Sequence, residues 1–265
     1  MDKGIHTDIP HREYHSLRAI SNGYLKSLSS VPAAAKVKGG ETPAMIFGRA
    51  QHVYTLEGEE AFFKEVAVAP QCDKRTKAGK EAWAKFSEEN SGKDVVTEEE
   101  FETIKSINTA VYSHPLAAKM LEEGISEVTA IWKDKETGLL CKCRPDRIPT
   151  GDRGVILDLK TCADASEFGF QRAVTTFRYY QQAAWYIDGV NAAGGKSVDA
   201  MAFIAVEKTP PYRTEVYILA DDFVDFGRSE YRRLMDIEKK CRRDKAWPHY
   251  LNPGATDIFK PSWMV

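Results

Sequence analysis

The rhythm of apolar positions changes near Ser126, and the change separates a helical stretch from an alternating one. Residues 1–57 read as an irregular arm followed by helices. Ser21 can cap a short helix through Leu28, and Pro32 limits its continuation because proline lacks the amide that a helix interior uses. Ala44 to Leu56 carries a second helical spacing. Residues 70–95 are polar and rich in lysine, which predicts a loop near Cys72–Lys77. Thr97 followed by Glu98–Glu100 has the composition of a helix start; that helix should reach about His114, with Pro115 opening a shorter one.

Past Ser126 the period shortens to two. Glu127–Trp132 reads as a strand, Asp134-Lys-Glu-Thr-Gly138 is turn chemistry, and Leu139–Ile148 returns as the second strand of a hairpin. Gly151–Gly154 turns the chain into a third strand, Val155–Lys160. One helix from about Ser166 to Asp188, strands near Ala200–Val206 and Thr214–Leu219, and a helix from Asp221 to about Arg243 follow. This order predicts an α/β fold, a mixed central sheet flanked by helices, behind a helical N-terminal region. The expected organisation is a single domain over 1–265: mainly helical over 1–125, an α/β core over 126–245, and a tail over 246–265.

Composition narrows the classes. The 265 residues are 43% hydrophobic, 29% charged and 11% aromatic, the balance of an ordinary globular protein. No apolar run approaches the roughly 20 residues of a spanning helix, and the first residues lack the apolar core of a signal peptide. The expectation is therefore a cytoplasmic protein with no membrane attachment. Five cysteines without regular spacing argue against a disulfide framework. Cys141 and Cys143 lack the further ligands of a zinc or iron–sulfur site and read as small buried hydrophobes. A net charge of −2 and a pI near 6.3 mean that any nucleic-acid surface must be local.

The third strand carries the candidate chemistry. Alternation puts Asp158 and Lys160 on one face and turns Leu159 to the other. A carboxylate beside an ammonium at a strand end can hold a metal and orient a water, although most such pairs are solvated strand faces. Pro145-Asp146 at the end of the preceding strand sharpens the reading. If the two strands are neighbours, Asp146 and Asp158 converge on one cation, and two carboxylates with a substrate phosphate suit Mg²⁺. Glu127, opening the hairpin, could supply a third carboxylate or be an exposed acid at a strand end. Crowded like charges predict that removing Asp158 would not lower stability and could raise it slightly.

Pro145-Asp146, then eleven residues, then Asp158-Leu159-Lys160 resembles the PD-(D/E)XK nuclease signature. Gly48-Arg-Ala-Gln-His52 is similar to the G-x-x-x-H element of RecB-like and exonuclease VIII-like branches, and Gln182-Ala-Ala-Trp-Tyr186 to their Q-x-x-x-Y element. The strings Glu136–Ile148, Asp158–Asp164 and Thr76–Glu81 resemble the C-terminal nuclease domain of the RecE-type exonuclease VIII family, within a resemblance running from Tyr14 to about Trp247. It implies a restriction-endonuclease-like core and a Mg²⁺-dependent DNA nuclease, with two ions per active site and Mn²⁺ able to substitute. It implies Asp146, Asp158 and the Leu159 carbonyl as ligands, and Lys160 as the group that orients or helps deprotonate the attacking water. Glu127 would be a further metal-associated acid, and His52 a ligand or near-ligand on the second-metal side. Gln182 would position the site or substrate, with Tyr186 beside it. The resemblance further implies 5′-to-3′ resection of linear double-stranded DNA ends, leaving 3′ single strands for recombination and repair, in a phage or prophage setting. It also implies a ring-shaped homo-oligomer (trimer or tetramer) and a single-strand annealing protein as partner. The alternatives are a structure-specific or restriction-type endonuclease on the same core, and a binding module with a dead site.

Three features invite over-reading. Gly194-Gly-Lys-Ser197 resembles the end of a phosphate loop, yet it lacks the glycine at Val190 and follows a helix, so it reads as a turn. Arg232, Arg233, Lys239, Lys240, Arg242 and Arg243 on the last helix could line DNA, although a solvated helix face is the commoner outcome. Trp83, Trp132 and Trp185 sit in patterned segments and read as core.

Overall fold

A computed structural model of the chain describes residues 2–37, 39–122, 124–151, 153–194, 197–249, 254–255 and 257–261. Its first part holds β1 (Gly4–His6), α1 (His11–Ser16), α2 (Asn22–Ser30), α3 (Pro43–Glu57), α4 (Glu59–Glu65), β2 (Val66–Val68), α5 (Lys77–Glu89), β3 (Asp94–Val96), α6 (Glu98–Ser113) and α7 (Pro115–Glu122). The second part holds β4 (Ile125–Ser126), β5 (Thr129–Lys133), β6 (Leu140–Cys143), β7 (Arg147–Ile148), β8 (Arg153–Cys162), α8 (Glu167–Thr176), α9 (Tyr179–Gly194), β9 (Ser197–Glu207), β10 (Thr214–Ile218) and α10 (Asp221–Asp244). Local chemistry sets several of these starts. The Ser21 hydroxyl accepts the Tyr24 amide at 3.2 Å to open α2. Thr97 and Glu100 exchange side-chain and backbone bonds in a full capping box at the head of α6.

The central sheet has the order β10-β9-β8-β7-β4. Its long β8–β9 pair is parallel and the other pairings are antiparallel. Helices cover both faces. Ile156 of β8 and Met201, Phe203 and Ala205 of β9 join the core beneath α2, α9 and α10. Leu157 and Leu159 with Ala202, Ile204 and Val206 join the core beneath α3, α4, α6 and α7. A strand buried on both sides reads as an unbroken apolar run, which is the pattern of Met201–Val206. Asp158 and Lys160 therefore share the face of Ile156, toward α9.

The structure departs from the sequence reading in three places. The second hairpin strand is interrupted: β6 pairs with β5 in a separate three-stranded sheet, β1-β5-β6, whereas β7 belongs to the central sheet. Arg144-Pro145 explains the break, since proline has no amide to give a ladder and Arg144 turns aside to other partners. Glu127 stands at the matching break between β4 and β5, with a left-handed φ of 52°. The helix expected over Ser166–Asp188 is two, α8 and α9, divided at Phe177–Arg178, where Arg178 has φ 56°. The loop expected near Cys72–Lys77 is present and ends at Thr76, whose side chain caps the exposed α5. Val66–Val68 and Asp94–Val96 add a parallel pair that the sequence reading left unassigned.

The features that invited over-reading have plain places. Cys141 and Cys143 are buried in the core, and all five cysteines are free thiols. Trp132 and Trp185 are core residues, whereas Trp83 is half-buried against Phe86. The α10 basic run is largely neutralised in place: Arg232 contacts Asp134, while Arg233 meets Glu230 at 3.1 Å and Arg242 meets Glu238 at 2.7 Å. Gly195 and Lys196, and residues 250–253, 256 and 262–265 of the C-terminal tail, lie outside the described residues. Among the described residues no helix is long and apolar enough to cross a membrane.

Candidate active site

Register builds the site. Arg147 of β7 lies opposite Leu157 of β8, so one step along the antiparallel pair sets Asp146 opposite Asp158. On the other side Ser126 of β4 lies opposite Arg147, which sets Glu127 opposite Asp146. Glu127 N–H donates to the Asp146 carbonyl at 3.0 Å, continuing the pairing past the end of β4. Three acids thus form a row across three adjacent strands, and Lys160 lies two residues beyond the last of them.

Each side chain in the row has a fixed partner. Asp146 is buried, and its Oδ2 accepts the Leu159 amide at 2.7 Å. Asp158 is 1% exposed; its Oδ1 accepts from Gln182 Nε2 at 2.6 Å, and its Oδ2 is in contact with the Lys160 ammonium. Glu127 Oε2 accepts from Arg144 Nε at 2.7 Å. Arg144 is itself held by the Ile9 carbonyl at 2.8 Å and by Thr129 Oγ1. Gln182 and Tyr186 lie one turn apart on α9. Gln182 touches Asp158 directly, while Tyr186 is half-buried on the same helix face and its hydroxyl is held well above its ordinary pKa by burial.

His52 approaches from the other face of the sheet. It projects from α3, and its Nε2 lies 2.8 Å from the Leu159 carbonyl oxygen. A carbonyl can only accept, so Nε2 carries the proton and Nδ1 keeps its lone pair. That Nδ1 lies 3.6 Å from Asp146 Oδ2. Burial, reinforced by the nearby Lys160 charge, pushes the His52 pKa down and keeps the ring neutral. One turn earlier, a Cβ on Gly48 would meet nothing within 4 Å. Packing does not require this glycine, and the space above it is open for a ligand.

The donor set fits a divalent cation. Ligand atoms of His52, Glu127 and Asp146 all lie within 4.8 Å of one another, with Asp158 adjoining Asp146 on its far side. Two carboxylates and a neutral imidazole match the preferences of Mg²⁺ and, with the nitrogen, of Mn²⁺. Acids this close repel. Burial and then Asp146 push the Glu127 pKa up to about 7, and burial followed by Asp158 raises that of Asp146 well above the carboxylate range. Arg144 opposes the rise at Glu127, and Lys160 opposes the rise at Asp146. Burial disfavours the Lys160 charge, but Asp158 and Asp146 outweigh that and hold its pKa above the ordinary lysine value.

These shifts fix a pH dependence. A carboxyl whose folded pKa is raised holds its proton longer than in the unfolded chain, so its stabilisation is lost as pH rises through the folded value. The depressed pKa of His52 acts in the opposite sense only below about 6.5, its ordinary value. Above that pH the acids are opposed by Lys26 and Lys142, whose pKa values, held down to about 8 by burial, make them regain stability as pH nears 8 with or without metal. Relative to Mg²⁺-saturated protein, metal-free protein should therefore lose on the order of 1 kcal/mol of stability between about pH 6.5 and 8, because only the acids are relieved by the cation. Thermal denaturation in chelator and in Mg²⁺ measures this, and a gap between the two profiles that stays constant over this range would contradict it.

Lys26, Arg144 and Tyr179 also belong to this region, and the sequence reading gave them no role. Tyr179 could have been found, because Tyr179, Gln182 and Tyr186 share one face of α9 at helical spacing. Arg144 stands inside the Arg144-Pro145-Asp146 string. Nothing local marks Lys26.

The family model of a PDDEXK-like domain of unknown function (DUF3799) matches residues 21–260. No curated protein matches the chain. The structure is similar to a crystal structure described as "Putative exonuclease" from Eubacterium rectale, with a TM-score of 0.60 and 13% identity over 96% of this chain and 94% of that one. An alkaline exonuclease from Laribacter hongkongensis also matches, with a TM-score of 0.28 and 17% identity over 52% of this chain and 71% of that one. At 13% identity the first of these shows a shared fold.

Proposed function

The chain belongs to the DUF3799 family of PDDEXK-like domains, and from that premise we propose that it is a metal-dependent DNA nuclease acting on the ends of linear duplex. The observation that carries this reading is the row Glu127, Asp146 and Asp158 across three neighbouring strands, with Lys160 against its last member. Buried acids brought together this way are electrostatically costly, and a resident cation offsets the cost. Asp146, Asp158 and the Leu159 carbonyl would hold one Mg²⁺, with Glu127 and His52 Nδ1 toward a second. The cations supply Lewis-acid activation of water and charge stabilisation on phosphate.

The chain's own groups do the rest. Gln182 fixes the Asp158 carboxylate through Oδ1, and Arg144 fixes Glu127, so neither acid is free to rotate out of the row. His52 donates to the Leu159 carbonyl and thereby sets its own tautomer, leaving Nδ1 directed at the acids. Lys160, protonated through the working pH range, brings an ammonium to the point where charge develops on a phosphate oxygen, and it can orient the water that attacks. Preference for ends, 5′-to-3′ polarity, a ring-shaped oligomer and delivery of 3′ strands to an annealing partner belong to this reading through the exonuclease likeness of the motifs.

Linear and covalently closed circular duplex incubated with Mg²⁺, Mn²⁺, Ca²⁺ or chelator test it. We expect linear DNA to be consumed with Mg²⁺ or Mn²⁺, and circles to survive. Ca²⁺, with its looser coordination, should support binding without cleavage. Attack on both substrates would make the protein an endonuclease. Survival of both with every metal would leave a binding module and end the nuclease reading.

A further inference from the structure

We infer that Lys26 forms, beside Lys160, a second phosphate subsite that receives a backbone phosphodiester of the bound strand next to the one being cut. The inference rests on the nuclease reading and adds to it a substrate-binding residue outside the recognised motifs. The geometry begins with α2, which is pinned to the core. Leu25 and Leu28 are buried, buried Asn22 accepts from Gln181 Nε2 of α9 at 2.9 Å, and the Tyr24 hydroxyl donates to Glu238 of α10 at 2.7 Å. Lys26 follows Leu25 by about 100° of helix, so its stem runs along the edge of the buried face and is half-buried. Its Nζ lies 5.5 Å from the centroid of the Tyr179 ring, and the Lys160 Nζ lies 4.9 Å from the same centroid.

Two ammonium groups thus converge on one aromatic ring at the mouth of the acid row. Lys160 is committed to Asp158. Arg178, the other cation nearby, is committed to Glu230 at 2.7 Å and to Gln181 at 3.1 Å. Among the described residues Lys26 has no carboxylate within ion-pair distance. A half-buried ammonium facing another positive charge is unfavourable unless an anion joins them, and burial together with Lys160 holds the Lys26 pKa down to about 8. Cation–π attraction to Tyr179 keeps the group in place without neutralising it. Other lysines also lack an ion pair; Lys26 differs from them in sharing the Tyr179 ring with the ammonium of Lys160, beside the acid row.

The test uses Lys26→Met, which keeps the apolar stem against Tyr179, and Lys26→Arg, which keeps the charge. Binding of a fluorescent linear duplex is measured by anisotropy in Ca²⁺ across a salt series, and steady-state cleavage is measured in Mg²⁺. Lys26→Met should bind about tenfold more weakly, with the slope of log affinity against log salt reduced by about one. It should raise KM far more than it lowers kcat, and Lys26→Arg should restore both measures. Wild-type affinity and salt slope in Lys26→Met would overturn the subsite while leaving the nuclease reading intact. Wild-type protein that neither binds nor cleaves duplex would overturn both.

Discussion

Asp158→Asn should abolish Mg²⁺-supported cleavage, by several orders of magnitude, while the protein remains folded. The amide keeps an oxygen for Gln182 Nε2 and fills the same volume, so packing beneath α9 is undisturbed. What it loses is a negative charge in the acid row, and with it an anionic ligand for the cation. Asp158→Ala should be equally inactive, but it should behave differently on heating. The crowding of acids predicts from sequence alone that this truncation is neutral or slightly stabilising. The structure reverses the sign. Asp158 is the contact partner of the Lys160 ammonium and the acceptor for buried Gln182, so its removal leaves a largely buried cation and a buried amide without their partner. Breaking such a pair from one side is destabilising, here by about 2–3 kcal/mol given that Asp146 remains nearby to compensate Lys160 in part. Denaturant unfolding of both variants in chelator separates the two effects. Substantial metal-dependent digestion by either variant would remove Asp158 from the ligand set.

Much of this site could be read before the fold was known, because strand alternation and register act over short distances. Asp158 and Lys160 share a face by the two-residue period, and Asp146 meets Asp158 because β7 and β8 are consecutive and antiparallel. Gln182 lies one helical turn from Tyr186 whichever way α9 packs. Other features depended on distant partners. The hairpin strands divide between two sheets because β1, from the far N-terminus, pairs with β5 and draws it from the central sheet. The α8–α9 break rests on Arg178 in a left-handed conformation, held by Glu230 from α10. The basic run of α10 left a DNA-lining face and the commoner solvated face both open in one dimension; in three, Asp134, Glu230 and Glu238 meet its arginines. Lys26 has no motif at all; only the packing of α2 on α9 brings it to Tyr179.

Lys160→Met should lower turnover by about 10²–10⁴-fold, the range associated with losing a positioned proton-transfer or charge-stabilising group. Its effect on cation binding should have the opposite character. In the metal-free protein the Lys160 ammonium lies against Asp158 Oδ2, the oxygen that a divalent ion would need. Removing the ammonium removes a competitor and leaves Glu127, Asp146 and Asp158 with less compensation, so Mg²⁺ should bind at least as tightly as in the wild type. The same loss should make the metal-free variant less stable, because Asp146 and Asp158 face each other with Lys160 gone. Added Mg²⁺ should then raise its melting temperature by more than it raises that of the wild type. Calorimetric titration, paired with melting curves in chelator and in Mg²⁺, reads both consequences without relying on cleavage. If Mg²⁺ binding vanished together with activity, Lys160 would be the scaffold that holds the acids in place, and its assignment to the chemical step would fail.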